Sequence, residues 1–392
     1  MITELKVNGF KSLNDFQIRF DKGLNVIVGP NGSGKTNICQ ALTILSSLPT
    51  GDLLKCLNYL GGASAIFSKQ HDSKKISITA IGECASNYKK VEYNLRYNYE
   101  FQIEIIDDAF HLSETLIIQR KTTKLFKQVL KITSKDGEIN GIIVDRENLG
   151  DYAKILDNHK TIHFTLDNND SLWGIMPKLF YACYTVGGDI INLRLVNIDP
   201  NVVREPCDII DTDRMHGNGK YLANELFKLL QNNRSKYELD SLLEQTLPNY
   251  KSIKVEANTS DLKRHIWITS KNNCSFPSAN LSDGTLKLIA VLVAIINQDY
   301  NIIIEELENY LHPKVDRVLI DFLRESFNNR LCILTSHSET ILNLVQPSEL
   351  ILCQNIEGNT ICNRIINLKQ IQDAIQASGL GCGYHYVLGN LE

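Results

Sequence analysis

The stretch Gly29-Pro-Asn-Gly-Ser-Gly-Lys-Thr36 decides the fold of this chain. It fits the phosphate-loop pattern, in which a glycine and four free positions precede Gly-Lys-Thr. The apolar, β-branched run Leu24–Val28 comes before it, and apolar residues repeat at helical spacing from Ile38 to Leu45 after it. The pattern therefore predicts a loop between a buried strand and a helix, which is the context that a phosphate loop requires.

The residues of this loop are predicted to bind a nucleoside triphosphate. Glycine permits backbone angles that turn successive N–H groups toward a phosphate, and the helix N-terminus adds partial positive charge. Lys35 is predicted to reach the β- and γ-phosphates, and the Thr36 hydroxyl is predicted to bind Mg²⁺. A glycine-rich turn without a ligand is the alternative, which the flanking strand and helix disfavour. The predicted nucleotide-binding residues of the loop are Gly29, Asn31, Gly32, Ser33, Gly34, Lys35 and Thr36.

Composition indicates an ordinary globular protein. The chain has 392 residues, 43% hydrophobic and 22% charged, with a formal net charge of -4, which gives no support for a whole-surface attraction to nucleic acid. No two of the ten cysteines are closer than nine positions, so no zinc spacing exists, and reduced thiols in a cytosol are expected. The start lacks a signal peptide, and the apolar run Leu286–Ile296 is too short to span a bilayer. We expect a soluble, cytoplasmic protein without a membrane partner.

A long antiparallel meander is predicted for the region from about 70 to 145. Every odd position from Val91 to Ile105 is apolar, and the even positions are polar, which is typical of a half-buried strand. Asp136-Gly137 is a turn signal. Further strands are predicted at Thr115–Ile118, Leu125–Ile132 and Ile142–Val144.

The rest of the chain divides into a region that is harder to interpret and a clear α/β pattern. Residues 146–278 are predicted to form a helical or mixed insertion, with helical periodicity from Leu222 to Leu247. From 279 to 392 strands and helices alternate, the signature of a parallel sheet, and Ser282 is predicted to cap a helix that runs to about Asn297. Residues 1–145 form the first lobe of the predicted nucleotide domain and 279–392 complete it. The elements predicted after the capped helix are Asn301–Glu306, Val315–Phe327, Leu331–Thr335, Glu339–Val345, Glu349–Cys353 and Leu368–Ala377.

Two neighbouring carboxylates end the strand Asn301-Ile-Ile-Ile-Glu-Glu306. They would lie at the carboxyl end of a parallel strand, where α/β sheets bind ligands. Glu305 is predicted to hold Mg²⁺ or its water, and Glu306 is predicted to orient and deprotonate an attacking water. A strand that ends in two acids at the surface is the alternative, and the phosphate loop upstream favours the functional interpretation.

Two further motifs carry weaker signals. Leu281-Ser-Asp-Gly-Thr285 opens a predicted helix, so it is either a second anion site or only a helix cap. Thr335-Ser-His-Ser338 follows a buried strand, and His337 could sense a γ-phosphate there, although a lone histidine is more often structural.

The order of these motifs resembles the ABC-type ATPase heads of the RecF/SMC/OLD group. It is most similar to the short head-only branch called AAA family ATPases, which occurs in many bacterial genomes and often in anti-phage systems. The opening Gly9-Phe-Lys-Ser-Leu13 is also similar to that group's start, and by the resemblance Lys11 lies near the nucleotide. The fold that the resemblance implies is an α/β P-loop ABC-type ATPase head with an antiparallel β lobe and a helical insertion.

The resemblance also implies roles for single residues and a mechanism. Glu305 and Glu306 take the Walker B acid and catalytic glutamate positions, and His337 is the switch histidine. Ser282 and Gly284 would meet the γ-phosphate bound by the opposite subunit, so a homodimer would hydrolyse ATP with Mg²⁺ at its interface. Three departures are a Glu at the first Walker B position, Asp283 and Thr285 in the signature, and a Q-loop glutamine that is not assignable, with Gln70 and Gln102 as guesses.

Two functions from different classes remain. One is an ATPase whose ATP-dependent dimer acts on DNA or on a partner effector in genome maintenance or anti-phage defence. The other is an ATP-bound sensor or scaffold that controls a separate nuclease or toxin with little turnover. The motor of a membrane transporter is disfavoured, because the signature lacks the usual Gly-Gln and the insertion is not transporter-like.

Overall fold

The structure is a computed structural model that describes residues 1–69, 74–88, 91–107, 109–122, 125–143, 161–165, 170–209, 214–258, 260–297 and 300–389. It contains two compact units. Unit 1 comprises Met1–Asp21, Pro30–Leu193 and Cys353–Asn363. Unit 2 comprises Lys22–Gly29, Arg194–Leu352 and Arg364–Glu392. The chain therefore passes between the units within the phosphate loop, after Gly29.

The described residues form the following elements. The strands are β1 (Ile2–Asn8), β2 (Phe16–Arg19), β3 (Gly23–Val28), β4 (Lys75–Tyr88), β5 (Val91–Ile106), β6 (Ala109–Lys121), β7 (Phe126–Lys135), β8 (Glu138–Ile143), β9 (Thr161–Thr165), β10 (Leu193–Val196), β11 (Cys207–Asp208), β12 (Tyr250–Asn258), β13 (Lys263–Ser270), β14 (Ser275–Pro277), β15 (Asn301–Glu305), β16 (Leu331–Ser336), β17 (Leu350–Ile356) and β18 (Asn359–Arg364). The α-helices are α1 (Lys35–Ser47), α2 (Leu53–Tyr59), α3 (Ala63–Ile66), α4 (Met176–Leu179), α5 (Tyr181–Ile191), α6 (Pro200–Arg204), α7 (Leu222–Gln231), α8 (Asn233–Thr246), α9 (Asp283–Ile296), α10 (Pro313–Ser326), α11 (Glu339–Leu344), α12 (Leu368–Ser378) and α13 (Cys382–Val387).

Unit 1 is built on an eight-stranded sheet in the order β2-β1-β4-β5-β6-β7-β8-β9. Its pairs are antiparallel, and β4 to β9 follow each other as neighbours, which confirms the predicted meander. Asp136 and Gly137 have φ of 49° and 83° and form the predicted turn between β7 and β8. The long strand β4 was not predicted, and the predicted strand end at Val144 lies outside the described residues.

One face of this sheet packs against helices of the same unit. The buried Tyr97 donates its hydroxyl hydrogen bond to Asp189 on α5, at 2.7 Å. The buried Tyr99 donates to Glu114 at 2.6 Å, and burial raises the pKa of that carboxyl group. Helix α1 buries Ile38 and the other residues of its apolar stripe in this unit. The meander thus supports the helix that the phosphate loop opens.

Unit 2 contains a parallel sheet of strands that are buried on both faces, as in other α/β sheets. Its order is β10-β15-β16-β3-β17, and β17 continues into unit 1, where it pairs with β18. Strands β15, β16, β3 and β17 are parallel neighbours. Glu305 is level with Thr335, and Ser336 is level with Val28. The carboxyl ends of β15, β16 and β3 therefore lie along one edge.

The region predicted as a helical or mixed insertion contains both helices and strands. Helices α7 and α8 confirm the helical periodicity between Leu222 and Leu247. The antiparallel pair β12–β13 was not predicted, because its alternation is short and interrupted by polar residues. The strand β10 joins the edge of the parallel sheet. The helix α9 begins after the cap Ser282 as predicted, and no helix in the described part of the chain is long and apolar enough to cross a membrane.

Candidate functional site

The phosphate loop adopts a conformation that its glycines make accessible. Strand β3 ends at Val28 and helix α1 begins at Lys35, as the sequence predicts. Gly32 has φ of 79° and Gly34 has φ of 103°, in the left-handed region that side chains disfavour. A Cβ atom on Gly34 would lie 1.9 Å from Thr360 Oγ1, so only glycine fits there.

The side chains of the phosphate loop differ in burial and in hydrogen bonding. The Lys35 ammonium is buried and donates a hydrogen bond to the Pro30 carbonyl at 3.0 Å. The Ser33 hydroxyl is buried and has no hydrogen-bond partner among the described residues. Asn31 and Thr36 are exposed. A buried ammonium, an unsatisfied hydroxyl and a glycine cradle fit a phosphate group, which accepts hydrogen bonds from all three kinds of donor.

The stretch from Gly9 to Leu13 lies beside helix α1 in the same unit. Lys11 has φ of 51°, and its ammonium donates to Gln40 of α1 at 2.7 Å. Partial burial lowers the pKa of Lys11. Ser12 Oγ accepts a hydrogen bond from Asn37 in the first turn of α1, at 2.8 Å. These contacts place Lys11 in the unit that carries Lys35, as its predicted role requires.

The two carboxylates at the end of β15 have different surroundings. Glu305 is the last residue of the strand; it is buried, and its Oε2 accepts a hydrogen bond from Asn197 at 2.9 Å. Glu306 is outside the strand with φ of 47°, so the predicted strand end at Glu306 is one residue too long. Its N–H donates to the Thr335 carbonyl at 3.0 Å, and its carboxylate accepts from Asn309 at 2.6 Å. The change of backbone conformation between the two residues allows them different chemical roles.

A second group of charges lies behind Glu306 in unit 2 and was not predicted as functional. Lys287 on α9 donates to the Glu306 carbonyl at 2.6 Å, and burial lowers the pKa of Lys287 to about 8. Burial, together with the nearby Glu308, raises the pKa of Asp316 on α10 to about 6. The sequence signal was present, because Lys287 interrupts an otherwise apolar helix that is buried along most of its length.

Glu308 holds the segment that carries His337. Its Oε1 accepts hydrogen bonds from Ser336 Oγ at 2.8 Å and from the His337 N–H at 3.0 Å. The His337 Nδ1 atom is 3.4 Å from the same oxygen. Since Ser336 is level with Val28, this segment leaves the sheet at the edge where Gly29 begins the phosphate loop. Unit 2 thus brings Glu305, Glu306 and His337 to the predicted edge.

The segment Leu281–Thr285 forms a helix cap, one of its two predicted roles. The exposed Ser282 accepts a hydrogen bond from the Thr285 N–H at 3.2 Å. Arg204 donates to the Leu281 carbonyl at 2.7 Å and to the Asp283 carboxylate. A Cβ atom on Gly284 would lie 2.4 Å from the Tyr310 carbonyl, so the helix start packs closely on the loop after Glu306. Arg204 carries no sequence motif that could have identified it.

The predicted metal ligands Thr36 and Glu305 belong to unit 1 and unit 2 respectively. Within the described ranges, no three His, Cys, Asp or Glu side chains are grouped so that they could hold a metal ion alone. A Mg²⁺ site for a nucleotide does not need such a group, because phosphates and waters supply most ligands. Of the Q-loop guesses, Gln102 lies on β5 and donates to Glu100 at 2.9 Å, and Gln70 lies outside the described residues.

Comparison with known proteins gives two family models and several relatives. Residues 1–179 match "AAA ATPase domain", and residues 201–343 match "AAA domain, putative AbiEii toxin, Type IV TA system". A "DNA replication and repair protein RecF" from Francisella tularensis subsp. mediasiatica is 24% identical over 194 residues, 42% of this chain. The match spans about half of that relative, 56% of its length. The "Retron Vc95 probable ATPase" of Vibrio cholerae is 20% identical over 383 residues, 86% of this chain and 70% of the relative.

The fold also matches a solved structure. The structure described as "Crystal structure of the SmcHead bound to the C-winged helix domain of ScpA" aligns with a TM-score of 0.53 and 14% identity. The alignment covers 92% of this chain and 97% of that one. At this identity the likeness concerns the fold, which is that of an ATPase head with a P-loop.

Proposed function

We propose that this chain is an ABC-type ATPase of the RecF/SMC/OLD-like group that binds and hydrolyses ATP with Mg²⁺ and dimerises when ATP is bound. One observation carries the proposal. Glu305, Glu306 and His337 lie at the sheet edge where Gly29 begins the phosphate loop. Ligands of parallel sheets bind at this edge. The two carboxylates, the imidazole and the N–H groups of the phosphate loop are the kinds of group that phosphoryl transfer needs.

The proposed roles follow from the surroundings of each residue. Bound Mg²⁺-ATP supplies the γ-phosphoryl group that water attacks. Lys35 and the loop N–H groups bind its phosphates, and Thr36 and Glu305 hold the metal ion. Glu306 orients the water and takes its proton, since it is the partly exposed carboxylate of the pair. His337 donates a hydrogen bond to the γ-phosphate through Nε2, because Glu308 lies beside its Nδ1.

The proposed dimer uses Ser282 and Gly284 to complete the nucleotide site of the partner subunit. Two observations support this role. Ser282 is exposed, and Arg204 fixes the position of its segment by donating a hydrogen bond to the Leu281 carbonyl. The name of the RecF relative, a DNA replication and repair protein, supports DNA as a partner in genome maintenance. The toxin in the description of the second family model supports an effector protein as the other partner, which we place in anti-phage defence in a cytoplasmic setting.

The test measures molecular mass by light scattering, together with phosphate release, for the purified protein with and without ATP and Mg²⁺. The wild type should dimerise and release phosphate. Lys35→Ala should do neither, whereas Ser282→Arg should retain ATP binding by calorimetry yet neither dimerise nor turn over. A wild type that binds no ATP contradicts the proposal, and an ATP-induced dimer without turnover favours the sensor alternative.

A further inference from the structure

Two cysteines face each other across the hairpin of β17 and β18. The strands are joined by the two-residue turn Glu357-Gly358, whose φ angles of 50° and 83° are those of a type I′ turn. Such a turn pairs Ile356 with Asn359, and counting outward along both strands pairs Cys353 with Cys362. The two side chains therefore point to the same face of the hairpin.

The hydrogen bonds of the hairpin determine which kind of pair the cysteines form. The Thr360 N–H donates to the Ser12 carbonyl at 2.8 Å, so it points away from β17. Thr360 is thus at a non-hydrogen-bonded position of the hairpin, and Cys362, two residues further on, is at the next one. Directly opposite residues at such positions have Cα atoms about 4.5 Å apart, within the range of roughly 4.4–6.8 Å that a disulfide spans.

The same face of the hairpin supports the phosphate loop. The Ser33 carbonyl accepts hydrogen bonds from Cys353 Sγ at 3.4 Å and from Thr360 Oγ1 at 3.0 Å. Thr360 Oγ1 also occupies the space that a side chain on Gly34 would need. Both donors belong to unit 1, as do Ser33 and Gly34. The orientation of the peptide between Ser33 and Gly34 therefore depends on the hairpin.

The local electrostatics distinguish Cys353 from the buried Cys183 and Cys332. The neighbouring thiol of Cys362 lowers the pKa of Cys353 by hydrogen bonding, and the Lys35 charge lowers it further, against the effect of burial. The same contact with Cys353 raises the pKa of Cys362. Burial raises the pKa of Cys183 and of Cys332 above the ordinary value. Reactive cysteines combine a lowered pKa with solvent access and a neighbouring resolving cysteine. Cys353 is buried and Cys362 is partly exposed, so the proposed peroxide reaches the pair from the side of Cys362.

We propose that Cys353 and Cys362 are a redox modification site: a peroxide converts them to a disulfide, which weakens the support of the phosphate loop. One thiolate attacks the peroxide oxygen, forms a sulfenic acid and releases hydroxide. The second thiol then displaces the hydroxyl group, which leaves as water. Two thiols and one hydrogen peroxide thus give one disulfide and two waters. The disulfide has no S–H, so Cys353 no longer donates to Ser33, and a dithiol reductant restores the contact.

The site is tested by peptide mapping of the full chain after hydrogen peroxide treatment. The expected product is one linked peptide pair that contains Cys353 and Cys362 and disappears with dithiothreitol. Cys274→Ser, which removes an exposed cysteine of unit 2, should give the same linked pair. Cys362→Ser should give none. A wild type in which these two residues stay unlinked while other cysteines oxidise overturns the proposal.

The effect on the loop is tested by amide hydrogen exchange without nucleotide. Oxidised wild type should exchange the amides of residues 31–36 about two-fold faster than reduced wild type, the low end for loss of one hydrogen bond, because a thiol is a weak donor. Cys362→Ser should show no change with peroxide. Equal exchange in the oxidised and reduced wild type contradicts the loss of support. Neither measurement uses ATP, so failure here is distinct from failure of the proposed ATPase function.

Discussion

Two loops of the molecule adopt left-handed backbone conformations with different residue types. They are the phosphate loop and the loop from Glu306 to Tyr310, here called the carboxylate loop. Both follow a parallel strand and both contain two residues with positive φ. The phosphate loop uses Gly32 and Gly34, whereas the carboxylate loop uses Glu306 with φ of 47° and Tyr310 with φ of 67°. A side chain in the left-handed region costs about 1–2 kcal/mol, so the second loop is strained where the first is not.

Neighbouring contacts hold the carboxylate loop in that conformation. The Glu306 N–H donates to the Thr335 carbonyl, and the Glu306 carbonyl accepts from Lys287 and from the Asn309 N–H. Strain that is held by surrounding structure is typical of functional sites. The comparison indicates that glycine encodes the conformation of the phosphate loop locally, while tertiary contacts impose the conformation of the carboxylate loop.

The largest expected effect is that of Glu306→Gln on hydrolysis. The amide keeps the size of the side chain but cannot accept the proton from water, so turnover should fall by about 10²- to 10⁴-fold. ATP and Mg²⁺ should still bind, and the ATP-loaded dimer should accumulate. Phosphate release and light scattering measure both effects, with the exposed Glu325→Gln as a control that should behave as the wild type.

The neighbouring Glu305→Gln separates the two carboxylates. Its proposed role is to hold the metal, so the variant should need more Mg²⁺ for half-maximal turnover. Normal turnover by Glu306→Gln, with Glu305→Gln inactive at every Mg²⁺ concentration, would reverse the two roles.

The next effect concerns Gly34, the glycine of the phosphate loop at which no side chain fits. Gly34→Ala places a methyl group against Thr360 and a side chain at φ of 103°, so the loop must shift. We expect ATP affinity to fall at least about ten-fold, from strain of about 1–2 kcal/mol plus the clash. Gly188→Ala, in a helix with open space around it, is the matched control. Unchanged affinity of Gly34→Ala in calorimetry would show that the local backbone of the loop is not what binds ATP.

The same contrast explains how much could be predicted from the sequence. The phosphate loop, the meander around Val91–Ile106 and the cap at Ser282 are local patterns, and the structure has each of them. Other contacts join residues that are far apart in the chain. Glu308 contacts His337, and Arg204 contacts the segment Leu281–Thr285. No periodicity encodes such contacts, because they depend on which strand ends become neighbours. The roles assigned to the site residues stay predictions.

A smaller effect is expected in the pH dependence of stability. The pKa of Asp316 is about 6 in the folded protein against an ordinary 3.8, because of burial and the nearby Glu308. Between these values the folded state binds more protons than the unfolded state, so this group makes stability fall as pH rises through that window. Asp316→Asn should remove this fall, measured by urea unfolding at about pH 4 and pH 6, the two ends of the window between the unfolded and folded pKa values. The exposed Asp321→Asn, on the same helix, should keep it. Parallel pH profiles of Asp316→Asn and the wild type would contradict a raised pKa.

The smallest effect tests the strain of the carboxylate loop directly. Tyr310 has φ of 67° and is 61% exposed, so its side chain contributes little beyond a contact with Lys287. At an ordinary position alanine is more stable than glycine by about 0.5–1 kcal/mol. At Tyr310 the order should invert, with Tyr310→Gly more stable than Tyr310→Ala by about 0.5–1 kcal/mol, because glycine relieves the left-handed backbone. Tyr237, an exposed tyrosine inside α8, is the matched control position, where the alanine variant should be more stable than the glycine variant. If urea unfolding gives the ordinary order at both positions, the carboxylate loop is not strained at Tyr310 and the contrast with the phosphate loop fails there.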